Sequence, residues 1–134
     1  MAGWRLEIAV MPERYALCRL DPDTPPPTWA LRGSLSTITR SPREVSIVCL
    51  ERDVPSKVRK IGGWRALRLE GPIDHVAESG VLVAVAEPLA RAGISIFPVS
   101  TFASGYLFVG AENLDRAVAT LVAWGHRIRD GRAA

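Results

Sequence analysis

The side chains best able to do chemistry gather between positions 70 and 101. Glu70, Asp74, His75 and Glu78 are close in sequence, and His75 and Glu78 stand three apart, a spacing that puts both on one face of a helix. Metal binding would need a third ligand there, and acid–base catalysis an oriented partner. Neither is in the pattern, so no catalytic residue, metal ligand or cofactor is assigned. The same stretch carries short hydroxyls at Ser79, Ser100 and Thr101, and glycines at 71 and 80 that let a backbone come close to a small molecule. Free N–H groups at a helix start, hydroxyls and a carboxylate such as Glu78 suit a zwitterion, of which an amino acid is the simplest. The plainer alternative is that Ser79 caps the helix, Ser100 and Thr101 satisfy their own turn, and Gly71-Pro72 is a strand exit. His126 reads as a helix-end cation or a strand residue.

The elements that must hold these groups follow from periodicity. Trp64 to Glu70 alternates apolar and polar residues as a half-buried strand does. From about His75 to Ala92, Val81, Leu82, Val85, Ala86 and Leu89 recur at helical spacing, and Gly93 stops the helix. Ile94 to Val99 and Tyr106 to Val109 read as strands. A second helix is expected from about Glu112 to Trp124, followed by a strand from His126 to Arg129. The order β-α-β-β-α-β is the ferredoxin-like arrangement, an α+β class with helices on one face of an antiparallel sheet. In that topology the loop 71–79 and the turn 100–105 meet at one end of the sheet.

The first half is less regular. Trp4 to Val10 and Tyr15 to Leu20 read as strands broken at Met11-Pro12, and the prolines at 25, 26 and 27 enforce a loop. Trp29-Ala30-Leu31 is a short helical turn, and 34–39 with 44–50 form a hairpin. Residues 53–61 show no convincing apolar face. A shift of about sixty residues lays Trp4-Arg5 on Trp64-Arg65 and Ile47-Val48-Cys49 on Leu107-Phe108-Val109, which suggests a duplication. The expected division is 1–62, with a degenerate helix, and 63–134, with Gly62-Gly63 as the boundary.

Composition excludes several classes. The longest apolar run, Val81 to Ala86, is too short to cross a bilayer, and Arg5 and Glu7 stand where a signal peptide needs apolar residues, so a cytoplasmic protein without membrane contact is expected. The seventeen basic residues, all arginine except Lys57 and Lys60, face fourteen acidic ones and are scattered singly, which argues against nucleic acid as a partner. Arg127, Arg129 and Arg132 alternate as on an exposed strand. Cys18 and Cys49 lie in apolar strand-like runs, where buried free thiols are common.

Glu-Gly-Pro-Ile at 70–73, Ser79-Gly80-Val81-Leu82, Ala92-Gly93-Ile94-Ser95-Ile96-Phe97, Ser100-Thr101-Phe102 and Tyr106-Leu107-Phe108-Val109 resemble the bacterial ACT-domain proteins related to the arginine-sensing CASTOR proteins. Arg14 to Leu20 and Val45 to Cys49 match the first half of that family. The resemblance implies two tandem ACT-like modules, the first degenerate, and a non-catalytic regulatory role with an amino acid as ligand. It also implies a homo-oligomer, with a dimer favoured. The family's ligand positions fall here on Glu78, Gly80, Val81, Leu82, Thr101 and Phe102, beside Ser79 and Ser100. Glu78 would supply the carboxylate and Thr101 a hydroxyl.

One position departs from the family pattern, which runs Ser-Thr-Phe-x-x-Asp. Gly105 replaces the aspartate, and loss of a charged hydrogen bond in a desolvated site removes about 1.5–3 kcal/mol. That leaves open a neutral or acidic amino acid, binding through Glu78 alone, or loss of binding. The turn Arg40-Ser41-Pro42 lacks the Thr-Phe pair, so the first half is expected to be structural. The rival reading is a ligand-free dimerisation module, with some of Trp4, Trp29, Trp64 and Trp124 at the interface.

Overall fold

The computed structural model describes residues 5–70 and 80–131. Two compact units are present, Glu13–Trp64 on the one hand and Met1–Pro12 with Arg65–Ala134 on the other. The strand β1 (Glu7–Leu20) contributes to both and runs through Met11-Pro12 without the expected break. Its pairing partners explain why. Glu7–Val10 pair in parallel with β7 (Arg127–Asp130), and Tyr15–Leu20 pair antiparallel with β3 (Val45–Leu50). Pro12 falls between the two paired stretches, where a missing N–H breaks no ladder bond to either strand.

In the unit Glu13–Trp64, β2 (Thr37–Arg40) pairs antiparallel with β3, and β1 lies between β3 and β4 (Arg59–Glu70). Thr28–Leu31 forms the expected short helical turn after the prolines. Alternate residues Ala16, Cys18, Val45, Ile47 and Cys49 point to one side, where they pack with Ala30 and Val54 and against Trp29 and Val58. Both cysteines are buried free thiols. The Cys49 hydrogen bond lowers the pKa of Cys18, while the same bond and burial push the Cys49 thiol far up.

Gly62-Gly63, the expected boundary, lies inside β4. Gly63 adopts φ +79°, and its N–H donates to Glu51 Oε1 at 2.6 Å. The left-handed residue is a local irregularity of a continuous strand, tied down by a carboxylate, and not a linker.

The unit containing Arg65–Ala134 has β4, α1 (Gly80–Arg91), β5 (Ile96–Ser100), β6 (Gly105–Gly110), α2 (Leu114–Ala123) and β7 in chain order. β6 lies between β4 and β5, and β5 is the outermost strand. Ile8, Val10, Leu67, Leu69, Leu107 and Val109 cover one side of the strands, and Val81, Val85 and Leu89 of α1 with Leu114, Ala117 and Leu121 of α2 close over them. The helices thus share one face of the sheet. On its other side the Phe97 ring stacks on the fully buried Phe108, centroids 4.7 Å apart.

Pro98 sits in the middle of β5, opposite Leu107. The Thr101 N–H donates to the Ser104 carbonyl, so hydrogen-bonded pairs alternate from there, and Pro98 occupies a position whose nitrogen faces away from β6.

His126 corrects an expectation. It is buried, not a helix-end cation, and both ring nitrogens are engaged. Nδ1 accepts the Leu6 N–H at 3.2 Å, so Nε2 carries the proton and donates to the Ala84 carbonyl at 2.8 Å. Pro88 lies inside α1 four residues after Ala84 and has no N–H for that carbonyl. The imidazole supplies the donor that proline removed. Gly125, at φ +99°, turns the chain after α2, and the His126 N–H reaches back to the Leu121 carbonyl at 3.1 Å.

Candidate ligand-binding site

Among the described residues α1 starts at Gly80, and the turn from there divides by burial. Val81 packs into the core while Leu82 and Val83 remain exposed. The helix packs against β5, which ends at Ser100. Ser100 is exposed and pairs with Gly105 across the hairpin. In the turn between them the Thr101 N–H and its hydroxyl both donate to the Ser104 carbonyl, at 2.9 and 3.3 Å. Phe102 at the tip is fully exposed.

Of the expected site residues, Gly80, Val81 and Leu82 therefore lie on one helix turn and Ser100, Thr101 and Phe102 on one hairpin end. Glu78 and Ser79 lie outside the described residues, as do Asp74 and His75. Val81 presents no side chain to solvent, so a ligand there would meet its backbone. Gly105 is buried at the start of β6.

Glu70, the remaining acid–base candidate, is held at the end of β4 by two cations. Arg68 Nε donates to Oε2 at 2.5 Å and Arg129 Nη2 to Oε1 at 2.8 Å. The Arg68 hydrogen bond, and after it the charges of Arg68 and Arg129, hold the carboxyl below its ordinary value of 4.5 against the opposing effect of burial. A carboxylate saturated in this way is a strut and a poor proton shuttle. Because the folded pKa is depressed, this stabilisation is present above the ordinary value and lost as pH falls from about 4.5 through the folded value. Glu70→Gln should flatten that part of the stability–pH curve in acid-titrated thermal unfolding, with little change in slope above pH 6. An unchanged acid limb would show that Glu70 is not tied down.

Arg127 lies near Glu7 at 3.5 Å, so the alternating arginines of β7 are engaged with carboxylates along the strand. Among the described residues no group of three or more His, Cys, Asp or Glu is placed to hold a metal ion. No helix among them is long and apolar enough to cross a membrane.

Three features escaped the sequence reading. The His126–Ala84 bond had a signal, a proline inside a helical pattern. The Arg68–Glu70–Arg129 cluster joins strands far apart in the chain and had none. The third is a cleft of about 440 Å³ in the unit Glu13–Trp64, lined by residues of β1, β3 and β4.

Comparison with known proteins agrees with this architecture. Residues 60–123 match the ACT domain family, and residues 13–57 match a separate family described as an N-terminal domain. The chain is thus of α+β class, with residues 60–123 similar to the ACT domain family. Among solved structures, a protein from Agobacterium tumefaciens is 34% identical, with a TM-score of 0.90 over 96% of this chain and 95% of that one. The chain belongs to the same family as that Agobacterium protein. A Vibrio cholerae protein of unknown function, described as a possible transport protein, is 17% identical, with a TM-score of 0.72 over 90% of each chain. The ligand-free regulatory subunit of aspartate kinase from Thermus thermophilus is 12% identical, with a TM-score of 0.63 over 87% of this chain and 96% of that one. At these last two identities the likeness is one of fold. No curated protein matches the sequence.

Proposed function

We propose that the chain is a non-catalytic regulatory module that binds an amino acid at the start of α1 and the 100–105 turn. The observation that carries this reading is the match of residues 60–123 to the ACT domain family, on a fold shared with a regulatory subunit of aspartate kinase. The ligand groups would be Glu78 and Ser79, the backbone of Gly80, Val81 and Leu82, and Ser100, Thr101 and Phe102. Kinship with the arginine-sensing CASTOR proteins belongs to the same proposal, as does a cytoplasmic location.

Two tandem ACT-like modules, divided near 62, are part of the reading. The hairpin registers support them, since Thr37↔Val48 and Arg40↔Val45 recur sixty residues on as Phe97↔Phe108 and Ser100↔Gly105. The short helical turns at Glu51–Asp53 and Ala111–Asn113 follow the same shift.

Thermal unfolding of the full chain against the twenty amino acids tests the proposal. One or two should stabilise it by about 2–3 kcal/mol at a hundredfold excess over Kd. Thr101→Val keeps the backbone bond to Ser104 and removes the hydroxyl, so it should abolish the shift and leave the unliganded protein folded; Glu78→Ala should do the same. The exposed Phe102, Leu82 and Val83 favour one other reading, a homodimer without ligand. Concentration-dependent dimerisation with no shift from any amino acid would select that reading.

A further inference from the structure

The unit Glu13–Trp64, expected to be structural, holds both cysteines of the chain side by side. Cys18 stands opposite Ile47 across β1 and β3, and Ala16 opposite Cys49, so the two thiols lie on one face of the sheet as diagonal neighbours. They are hydrogen-bonded to each other. Both are buried, in a cluster with Ala16, Ala30, Val45 and Ile47. Cys18 also lines the cleft of about 440 Å³, which gives the pair an entry path.

Two thiols in contact can be bridged by a bond or by a metal ion. Diagonal neighbours on paired strands have Cα atoms about 7–8 Å apart, beyond the span of an unstrained disulfide. A metal ion between the sulfurs makes up that extra length. The donor set then selects the ion, since thiolates favour soft ions such as Cu(I). Among the described residues no group of three or more His, Cys, Asp or Glu could hold a metal ion, so the pair offers two protein ligands and no third. A zinc ion asks for four ligands in a closed site. A soft monovalent ion is satisfied by two thiolates in a line.

Charge is consistent with such an occupant. Two thiolates around a monovalent cation leave one negative charge in a buried setting, which needs an opposite charge nearby. The Lys60 ammonium is close enough to favour the Cys18 thiolate, after the larger effect of the Cys49 hydrogen bond. The Asp53 carboxylate acts in the opposite sense on Cys49.

We propose that Cys18 and Cys49 form a two-coordinate site for Cu(I), with both thiolates as ligands and Lys60 as the counter-charge. The site shares no residue with the one at α1 and does not depend on it. The ion arrives as a complex with two small thiolates and is passed on by ligand exchange. Each cysteine gives its proton to the thiolate that it displaces, so two S–Cu bonds break, two form, and the copper stays Cu(I).

The test is an anaerobic titration of the reduced full chain with Cu(I) in a glutathione buffer, with bicinchoninate as competing chelator. One Cu(I) per chain is expected, with a sulfur-to-copper absorption band in the ultraviolet. X-ray absorption should show a first shell of two sulfurs and nothing else. Ag(I) should bind with the same stoichiometry, and Zn(II) should bind weaker by about a hundredfold or more. Cys18→Ala and Cys49→Ala should each weaken Cu(I) binding by about a hundredfold, whereas Met11→Leu, at the thioether of β1, should leave it unchanged. Lys60→Gln should weaken it by a smaller factor. Circular dichroism of each variant separates lost binding from lost fold, and the X-ray absorption of the unaltered chain decides the matter if a cysteine variant does not fold. A first shell containing nitrogen or oxygen, a third sulfur, binding that survives either cysteine substitution in a folded protein, or no uptake in the presence of glutathione would overturn the proposal.

Discussion

Replacing His126 by alanine is expected to lower the free energy of unfolding by about 2–4 kcal/mol, measured from urea transitions. The loss leaves the Leu6 N–H and the Ala84 carbonyl without a partner in a buried setting, at about 1–3 kcal/mol each. A double-mutant cycle isolates the part that belongs to the proline. With Pro88→Ala in place, the backbone N–H of residue 88 can take the Ala84 carbonyl, as in an uninterrupted helix. His126→Ala should then be less damaging by about 1 kcal/mol or more. Equal losses in the two backgrounds would mean that the imidazole does not substitute for the missing helix bond.

The second large effect is expected at Phe108. Its ring is fully buried in the middle of β6 and stacked on Phe97. Phe108→Ala should destabilise the protein by about 3–5 kcal/mol, from lost transfer energy plus the cavity left behind. Phe108→Leu, which keeps most of the volume, should be less than half as damaging. Phe97→Ala, at a partly exposed site on the outermost strand, should also lie below the Phe108→Ala value. Equal effects at 97 and 108 would assign the stability to the ring pair and not to burial.

How much could be read in advance depends on whether a feature is local. The strand ending at Glu70, the apolar stripe of α1, the β5–β6 hairpin and α2 are periodic over short windows, and the sequence located them to within a few residues. Met11-Pro12 misled because proline is a breaker by type, and Gly62-Gly63 hid that β4 starts earlier, at Arg59. Pro12 is tolerated because β1 changes partner around it, and Gly63 because the Glu51 side chain anchors its N–H. Both compensations come from residues far along the chain. His126 misled for a similar reason, since neither Leu6 nor Ala84 is near it in sequence. At the candidate site, Thr101 was legible as a hydroxyl beside a turn, and the structure shows that hydroxyl donating to the Ser104 carbonyl. The cleft in the unit Glu13–Trp64 had no sequence signal, because its lining is brought together from three strands far apart in the chain.

Pro98 has a consequence for how copies of this chain meet in solution. β5 is an outermost strand, the kind of border that recruits further strands and seeds aggregation. With the nitrogen of Pro98 turned outward, an incoming strand would find donors at Ile96 and Ser100 and none between them. That gap is a built-in deterrent to runaway sheet growth. Self-association through this border is thereby disfavoured, and a fully exposed aromatic tip such as Phe102 can remain in solution beside it.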